Sequence, residues 1–486
     1  MTTKMRIANC GMRISWCLVL FGALAFSVLG QIPEPGPAKS VNVPAVKETK
    51  LKNGLTVAVV EKHSTPIVTV QLLIRAGAGA EAIEKAGLAN LTADMLTKGT
   101  KTRTAEQIAE EMEFLGASIN TGAGWNSSSV SMTVTADKLD QAMAIMSDVV
   151  LNPTFKQEEL DLLKSQSLDE LKASLAQPAF LANYVASVRA FGEHPAGGTS
   201  ASIESIKQSD LRSFYDKEFL PNKSVLIMTG DISPSNAASI AERFLGTWKG
   251  SADRQNDRWG DPQSPGEGKV VVARILVVDL PGSGQSSVNF YRPIRTIGRG
   301  SKDYYAASVL NSLLGGGYSS RLNQEIRIKR GLSYGAGSGF GWRSSGTNFT
   351  TRTQTKNQSA AEVAELVVGE LKRLADTDAA ETELNPRRLV LIGGFGRNLE
   401  TTSGLTAALA DLYTFGVPTS EINKYTTSVQ NVSAANVKDF ASRYFHDGEI
   451  VIVGDYSKFK DDLAKRFPGV NIEVIKASEL DITKLK

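Results

Sequence analysis

DLRSFYDKEFLPNKSVLIMTGDIS (residues 210–233) and NVKDFASRYFHDGEIVIVGDYS (residues 436–457) share one grammar. Each sets apolar residues at helical spacing, passes a short turn, and enters a run rich in β-branched residues that ends in Gly-Asp, at Gly230-Asp231 and Gly454-Asp455. The two pairs lie 224 residues apart, a domain length and not a solenoid period. Earlier in each half, GASINTGAGWNSSSVSMTV around Trp125 parallels GLSYGAGSGFGWRSSGTNFTTRT around Trp342. Agreement in order and spacing implies one structural unit used twice.

Working outward, LTVAVVEK and IVTVQLLIRAG predict strands, while TAEQIAEEMEFLG and AAEVAELVVGELKRLAD predict amphipathic helices. Strand pairs mixed with long helices suggest an α+β fold, helices packed on a largely antiparallel sheet in each half. Residues 251–268 (SADRQNDRWGDPQSPGEG) are polar, Gly/Pro-rich and aperiodic, and read as a linker between domains at 45–250 and 269–480. Residues 31–44, with four prolines, read as a poorly ordered lead-in.

The first thirty residues differ in kind. Lys4, Arg6 and Arg13 make an acid-free basic start, and Ile14 to Leu29 is almost wholly apolar, with Ser27 and Gly30 near its end. The pattern predicts a secretory signal peptide (1–30) and a periplasmic or otherwise exported protein; an uncleaved N-terminal membrane anchor is the alternative. Both cysteines, Cys10 and Cys17, lie in this segment, so a processed chain would have no disulfide. Removing it takes three of the 54 basic residues and none of the 51 acidic ones, leaving a formally neutral chain. Neutrality without a basic stripe argues against a nucleic-acid partner, and no other apolar run is long enough to imply membrane contact beyond the signal.

GLANLTADMLTKGT (87–100) closely resembles the zinc-binding helix of the pitrilysin-like (insulinase-type) peptidases, usually Gly-Ile-Ala-His-Phe-Leu-Glu-His-Met-Leu-Phe-Lys-Gly-Thr. In that family His-x-x-Glu-His supplies two zinc ligands one helical turn apart and a general base between them. Asn90, Ala93 and Asp94 occupy those positions here. The family's third ligand, a Glu 76 residues downstream, corresponds to Glu170, which reads as a relic. One or two oxygen donors cannot build a three-ligand catalytic site, so no cofactor is expected on this chain. His63, His194 and His446 lie 131 and 252 residues apart and offer no substitute; His194, in FGEHPAGG, matches a family loop taken as structural. No mature cysteine and no Gly-x-Ser-x-Gly elbow supports another peptidase class.

The second half keeps what the first has lost. GGGYSSRLNQEIRIKRGLSYGAGSGFGW (315–342) resembles the family's Arg/Tyr segment, with Arg327 seven residues before Tyr334. The resemblance implies that these two donors hydrogen-bond a substrate carbonyl at a zinc site, which suits stabilisation of a developing oxyanion. The glycine run and the Gly335–Gly341 alternation fit no nucleotide-binding pattern. Residues 117–134 fall where family members present an edge strand to extended peptides.

The resemblance spans residues 51–455 and implies a clam-like bilobed chain of two homologous domains. Bacterial relatives of this kind work as pairs, one chain carrying the zinc motif and the other the Arg/Tyr motif. The expectation is therefore a non-catalytic, substrate-binding subunit of an exported heteromeric zinc endopeptidase, with zinc in a His-x-x-Glu-His-bearing homologous partner. The alternatives are a zinc-free structural or assembly protein, as in respiratory-complex core subunits, and a stand-alone peptide-binding protein.

Overall fold

The computed structural model describes residues 42–192, 194–250 and 272–485. The signal-like segment, residues 31–41 and the 251–268 stretch lie outside them. The end of the Pro-rich lead-in is held in place: Val43 is buried, its N–H donating to Asn423 Oδ1 at 2.8 Å and its carbonyl accepting from Asn423 Nδ2 at 2.9 Å.

Among the described residues twelve strands form two six-stranded sheets. The first takes β1 (Lys47–Lys50), β2 (Thr56–Glu61), β3 (Ile67–Ile74), β4 (Ile119–Ala123), β5 (Ser128–Thr135) and β6 (Ser224–Gly230), in the order β1-β2-β6-β3-β5-β4. The second takes β7 (Val272–Asp279), β8 (Ser286–Ile294), β9 (Ala336–Arg343), β10 (Gly346–Thr355), β11 (Gly448–Gly454) and β12 (Asn471–Lys476), in the order β12-β7-β11-β8-β10-β9. Five strands correspond in order and direction: β2-β6-β3-β5-β4 and β7-β11-β8-β10-β9 each begin with a parallel pair and continue antiparallel. The outermost strand differs, β1 being antiparallel to β2 and β12 parallel to β7. The repeated helix–turn–strand segments become the helices Gln208–Glu218 and Ala434–Tyr444, followed by β6 and β11. The two sheets are thus the α+β pair that the sequence suggests, largely antiparallel and packed with helices.

Runs such as Val57–Val60 of β2 and Val225–Met228 of β6 are apolar on consecutive residues because both sheet faces are covered. On β2, Val57 and Val59 join the core beneath helices of the first half. Their neighbours Ala58 and Val60, with Val225 and Ile227 of β6, pack against Leu405, Leu409 and Leu412. Those leucines belong to the helix Thr402–Thr414 of the second half. The reverse exchange also occurs. The helix Pro178–Phe191 of the first half lays Leu181, Ala182, Val185 and Val188 on Leu276, Val278, Val451 and Val453 of the second sheet. Strand pairing divides the chain between the halves, whereas helix packing interlocks them.

The exchanged helices are also tied by polar bonds. Thr402 Oγ1 and Thr69 Oγ1 lie 2.8 Å apart, and Thr229 Oγ1 bonds the Thr402 carbonyl at 2.9 Å. Across the other junction, Arg189 Nε donates to Tyr291 Oη at 3.0 Å, and Glu449 accepts from Tyr291 at 2.5 Å and from Arg189 Nη2 at 3.2 Å.

Candidate functional site

The helix Leu88–Met95 carries the degenerate zinc positions and lies against edge strand β4. Residues 117–134 thus contribute the edge strand of the first sheet. Asn90, Ala93 and Asp94 share one side of the helix through their i, i+3 and i+4 spacing. Ala93 is fully buried and offers only a methyl group where a base would stand. Asn90 Oδ1 is buried and accepts no hydrogen bond among the described residues. Burial raises the Asp94 carboxyl above its ordinary pKa, with Lys98 opposing the shift. Glu170 sits on the neighbouring helix Gln157–Leu175 with its side chain in solvent. An amide oxygen and one carboxylate do not match the three nitrogen, sulfur or carboxylate ligands of a catalytic zinc. Among the described residues no three His, Cys, Asp or Glu side chains cluster to hold a metal.

What organises this helix is its N-terminus. Gly87 takes a left-handed φ of 96°, and Glu81 folds back so that its carboxylate accepts from Gly87 N at 2.8 Å and Ala89 N at 2.7 Å. An anion at free helical N–H groups is well placed. Its side chain is nevertheless wholly buried, and that desolvation pushes its pKa up to about 7 against the three backbone donors. His194 Nδ1 lies 3.5 Å from Glu81 Oε1, and its ring packs on Trp125 with centroids 5.1 Å apart. Trp125 in turn meets the Arg343 guanidinium at 3.6 Å, and the Asn126 side chain bonds both the Trp342 carbonyl (3.2 Å) and Ser344 N (2.8 Å). The β4–β5 turn of one half thereby grips the β9–β10 turn of the other. His194 is structural in this setting, as the sequence suggests.

A stability prediction follows from Glu81. A carboxyl whose folded pKa is raised from about 4.5 to about 7 binds its proton more tightly when folded, so its contribution is complete below pH 4.5 and is lost as pH rises through 7. The loss amounts to about 3 kcal/mol. Glu81→Gln, which mimics the protonated form, is expected to remove that pH dependence. Urea unfolding of both proteins between pH 4.5 and 8 measures the difference, and parallel curves would contradict it.

The Arg/Tyr pair stands in the other half. The helix Tyr304–Leu314 ends at Gly315, where a Cβ would come within 2.4 Å of Ser338 N on β9, so only glycine permits this approach. A π-helical turn, Asn323–Ile328, follows and presents Arg327; Gly331 closes it in a left-handed conformation. Asn323 fixes both flanks, donating to the Gly317 carbonyl at 2.9 Å and accepting from Ala336 N at 2.9 Å. Arg327 consequently lies 4.6 Å from the Tyr334 ring centroid and 4.9 Å from that of Tyr318. Tyr334 is 90% exposed and Tyr318 65%. The nearby Glu325 is engaged by Lys329 and Arg330, and Arg327 forms no ion pair among the described residues. The arrangement is a half-buried cation held between two exposed aromatic rings, with the Tyr334 side chain in solvent.

Sequence reasoning assigned Arg327 and Tyr334 and missed Tyr318. Its only signal was an aromatic residue directly after Gly315-Gly316-Gly317, in a segment without periodicity. Glu170 stands on the helix packed beside that of Asn90 and Asp94, with no hydrogen bond to either among the described residues.

Comparison with known proteins agrees with this geometry. Residues 56–197 match the family model described as insulinase (peptidase family M16), and residues 205–388 match that of the peptidase M16 inactive domain. An uncharacterized zinc protease of Mycobacterium bovis is 26% identical over 386 residues, covering 78% of this chain and 86% of its own length. The non-peptidase homolog YmxG of Helicobacter pylori is 24% identical over 405 residues, covering 82% and 91%. A crystal structure titled as a peptidase M16 inactive domain from Pseudomonas fluorescens superposes with a TM-score of 0.75 at 27% identity, covering 84% of this chain and 98% of that one. With both halves matched in order and the two-sheet architecture reproduced, the chain belongs to the insulinase (M16) peptidase family.

Proposed function

We infer that this chain is the zinc-free, substrate-binding member of an exported two-chain zinc endopeptidase. One observation carries the inference: half-buried Arg327, which forms no ion pair among the described residues, stands against exposed Tyr334, while the helix that should hold zinc presents Asn90, Ala93 and Asp94. A decayed shell would have no reason to hold an unneutralised guanidinium between two exposed rings. The edge strand β4 offers main-chain pairing to an extended peptide. Zinc belongs to a His-x-x-Glu-His-bearing homologous partner, and this chain's part is to donate hydrogen bonds to the peptide carbonyl as negative charge builds on its oxygen. The basic-then-apolar start, Lys4 to Leu29, supports export to the periplasm.

The test uses the mature chain alone and mixed with such a partner. Alone, it is expected to bind no stoichiometric zinc by metal analysis and to cleave no peptide; mixed, it is expected to confer turnover that neither chain shows singly. One zinc per isolated chain, or turnover by the partner undiminished without it, would overturn the assignment. In the mixed enzyme Tyr318→Ala is expected to lower kcat less than changes at Arg327, because it removes a supporting ring and no donor.

A further inference from the structure

The alternating glycines of β9 mark a second place on this chain. Pairing with β10 sets Gly337 opposite Arg352, Gly339 opposite Thr350 and Gly341 opposite Asn348. Directly opposed residues share a sheet face, so these six form one surface. Ser338, Phe340 and Trp342 turn to the other face, where Phe340 meets Phe349 and Phe440. On the glycine face the helix Pro178–Phe191 covers β8, with Asn183 bonded to Asn289 at 2.9 Å. Between that helix and the glycine row lies a cavity of about 330 Å³, with Trp125 and Phe191 in its lining.

Three features define what this cavity could hold. Its floor is bare main chain: a Cβ at Gly339 would meet nothing within 4 Å, and one at Gly341 would come no closer than 3.9 Å to Asn348 O. Among the described residues its lining includes two guanidiniums, Arg343 and Arg352, and no carboxylate. Arg343 is clamped between the Trp125 and Phe191 rings, each 3.6 Å away. Arg352 is exposed and forms no ion pair among the described residues. On the same sheet face Glu449, paired with Tyr291 across from Thr350, is occupied by Arg189, Arg274 and Tyr291. The Arg352 cation at the cavity wall attracts ligands of the opposite charge.

Binding by strand addition along the whole of β9 is blocked. Ala336 N is held by Asn323, Ser338 N by the Gly315 carbonyl at 3.3 Å, and the Trp342 carbonyl and Ser344 N by Asn126. A ligand must therefore lie over the face and not along the edge.

We propose that this groove binds an acidic stretch of extended peptide, its main chain close over the glycine row and a Glu or Asp carboxylate on Arg352. The absence of side chains at positions 337, 339 and 341 permits that close approach. The proposal rests on the peptide-binding function inferred above and adds a charge preference to it.

The experiment compares fluorescent peptides of equal length, bearing Glu, Gln or Lys at the same positions, binding to the full mature chain at low ionic strength by anisotropy. The Glu peptide is expected to bind about tenfold tighter than its Gln counterpart. Arg352→Ala is expected to abolish that ratio, and Arg352→Glu to reverse it in favour of the Lys peptide, with affinity for the Gln peptide unchanged in both. Because Arg352 is exposed and unpaired, both variants should fold, which circular dichroism and melting temperature check. Equal affinity of the native chain for Glu and Gln peptides, or a Glu preference that survives Arg352→Glu, overturns the groove while leaving peptide binding intact. Failure of every peptide to bind overturns both inferences.

Discussion

Arg327→Ala is expected to lower kcat of the two-chain enzyme by about 10²–10³-fold, with a much smaller change in KM and none in folding. Arg327 is half-buried between two exposed rings and bonded to no carboxylate among the described residues, so its removal leaves no buried charge unpaired. A donor that acts mainly on the developing oxyanion contributes to the transition state and little to ground-state binding, hence the loss in kcat. Arg327→Lys should recover only part of the rate, since an ammonium keeps the charge but not the planar fork or its stacking on Tyr318 and Tyr334. Tyr334→Phe, losing one hydroxyl donor at a side chain already in solvent, should likewise act on kcat. If the Arg327→Ala, Tyr334→Phe pair supported full turnover, the retained bilobed shell would serve assembly alone.

Much of this was visible in the sequence because local rules and global packing agree there. The helix expected at 360–376 forms as Ala360–Asp376, and TAEQIAEEMEFLG forms a helix from Ala105 to Phe114 with Thr104 and Gln107 making a capping box. The runs ahead of Gly230-Asp231 and Gly454-Asp455 form β6 and β11, the strands that they predict. What covers them was hidden. An amphipathic pattern in 178–191 or 402–414 states that a face is buried, not which sheet buries it, so the exchange of helices between halves has no sequence signature. Glu81 was hidden for a similar reason: a carboxylate in a loop looks solvated until its chain folds back onto Gly87 and Ala89. The π-helical turn at Arg327 departs from the 3.6-residue period on which helix prediction rests, yet the seven-residue spacing to Tyr334 identified the pair.

The exchanged helices lead to the largest expected effect on stability, from Glu449→Ala. Glu449 on β11 accepts from Arg189 of the first half and from Arg274 and Tyr291 of the second. The Arg189 side chain is only 3% exposed. Truncating Glu449 removes the countercharge but leaves that guanidinium in the interior, with the Tyr291 hydroxyl at 3.0 Å as its neighbour. Stranding one member of a buried pair costs about 3–5 kcal/mol, more than the intact pair contributes over an apolar substitute. Glu449→Gln, which keeps an acceptor and the side-chain volume, should cost less. The loss should also be global. Arg189 lies on the Pro178–Phe191 helix that covers the second sheet, and the Thr402–Thr414 helix covers the first in return, so neither half retains a closed core when the other opens. Urea unfolding followed by tryptophan fluorescence and by circular dichroism is therefore expected to give one coincident transition, shifted to lower midpoint by Glu449→Ala at unchanged slope. Two separated transitions, with only the later one sensitive to Glu449, would show that the halves fold independently and that the exchanged helices do not couple them.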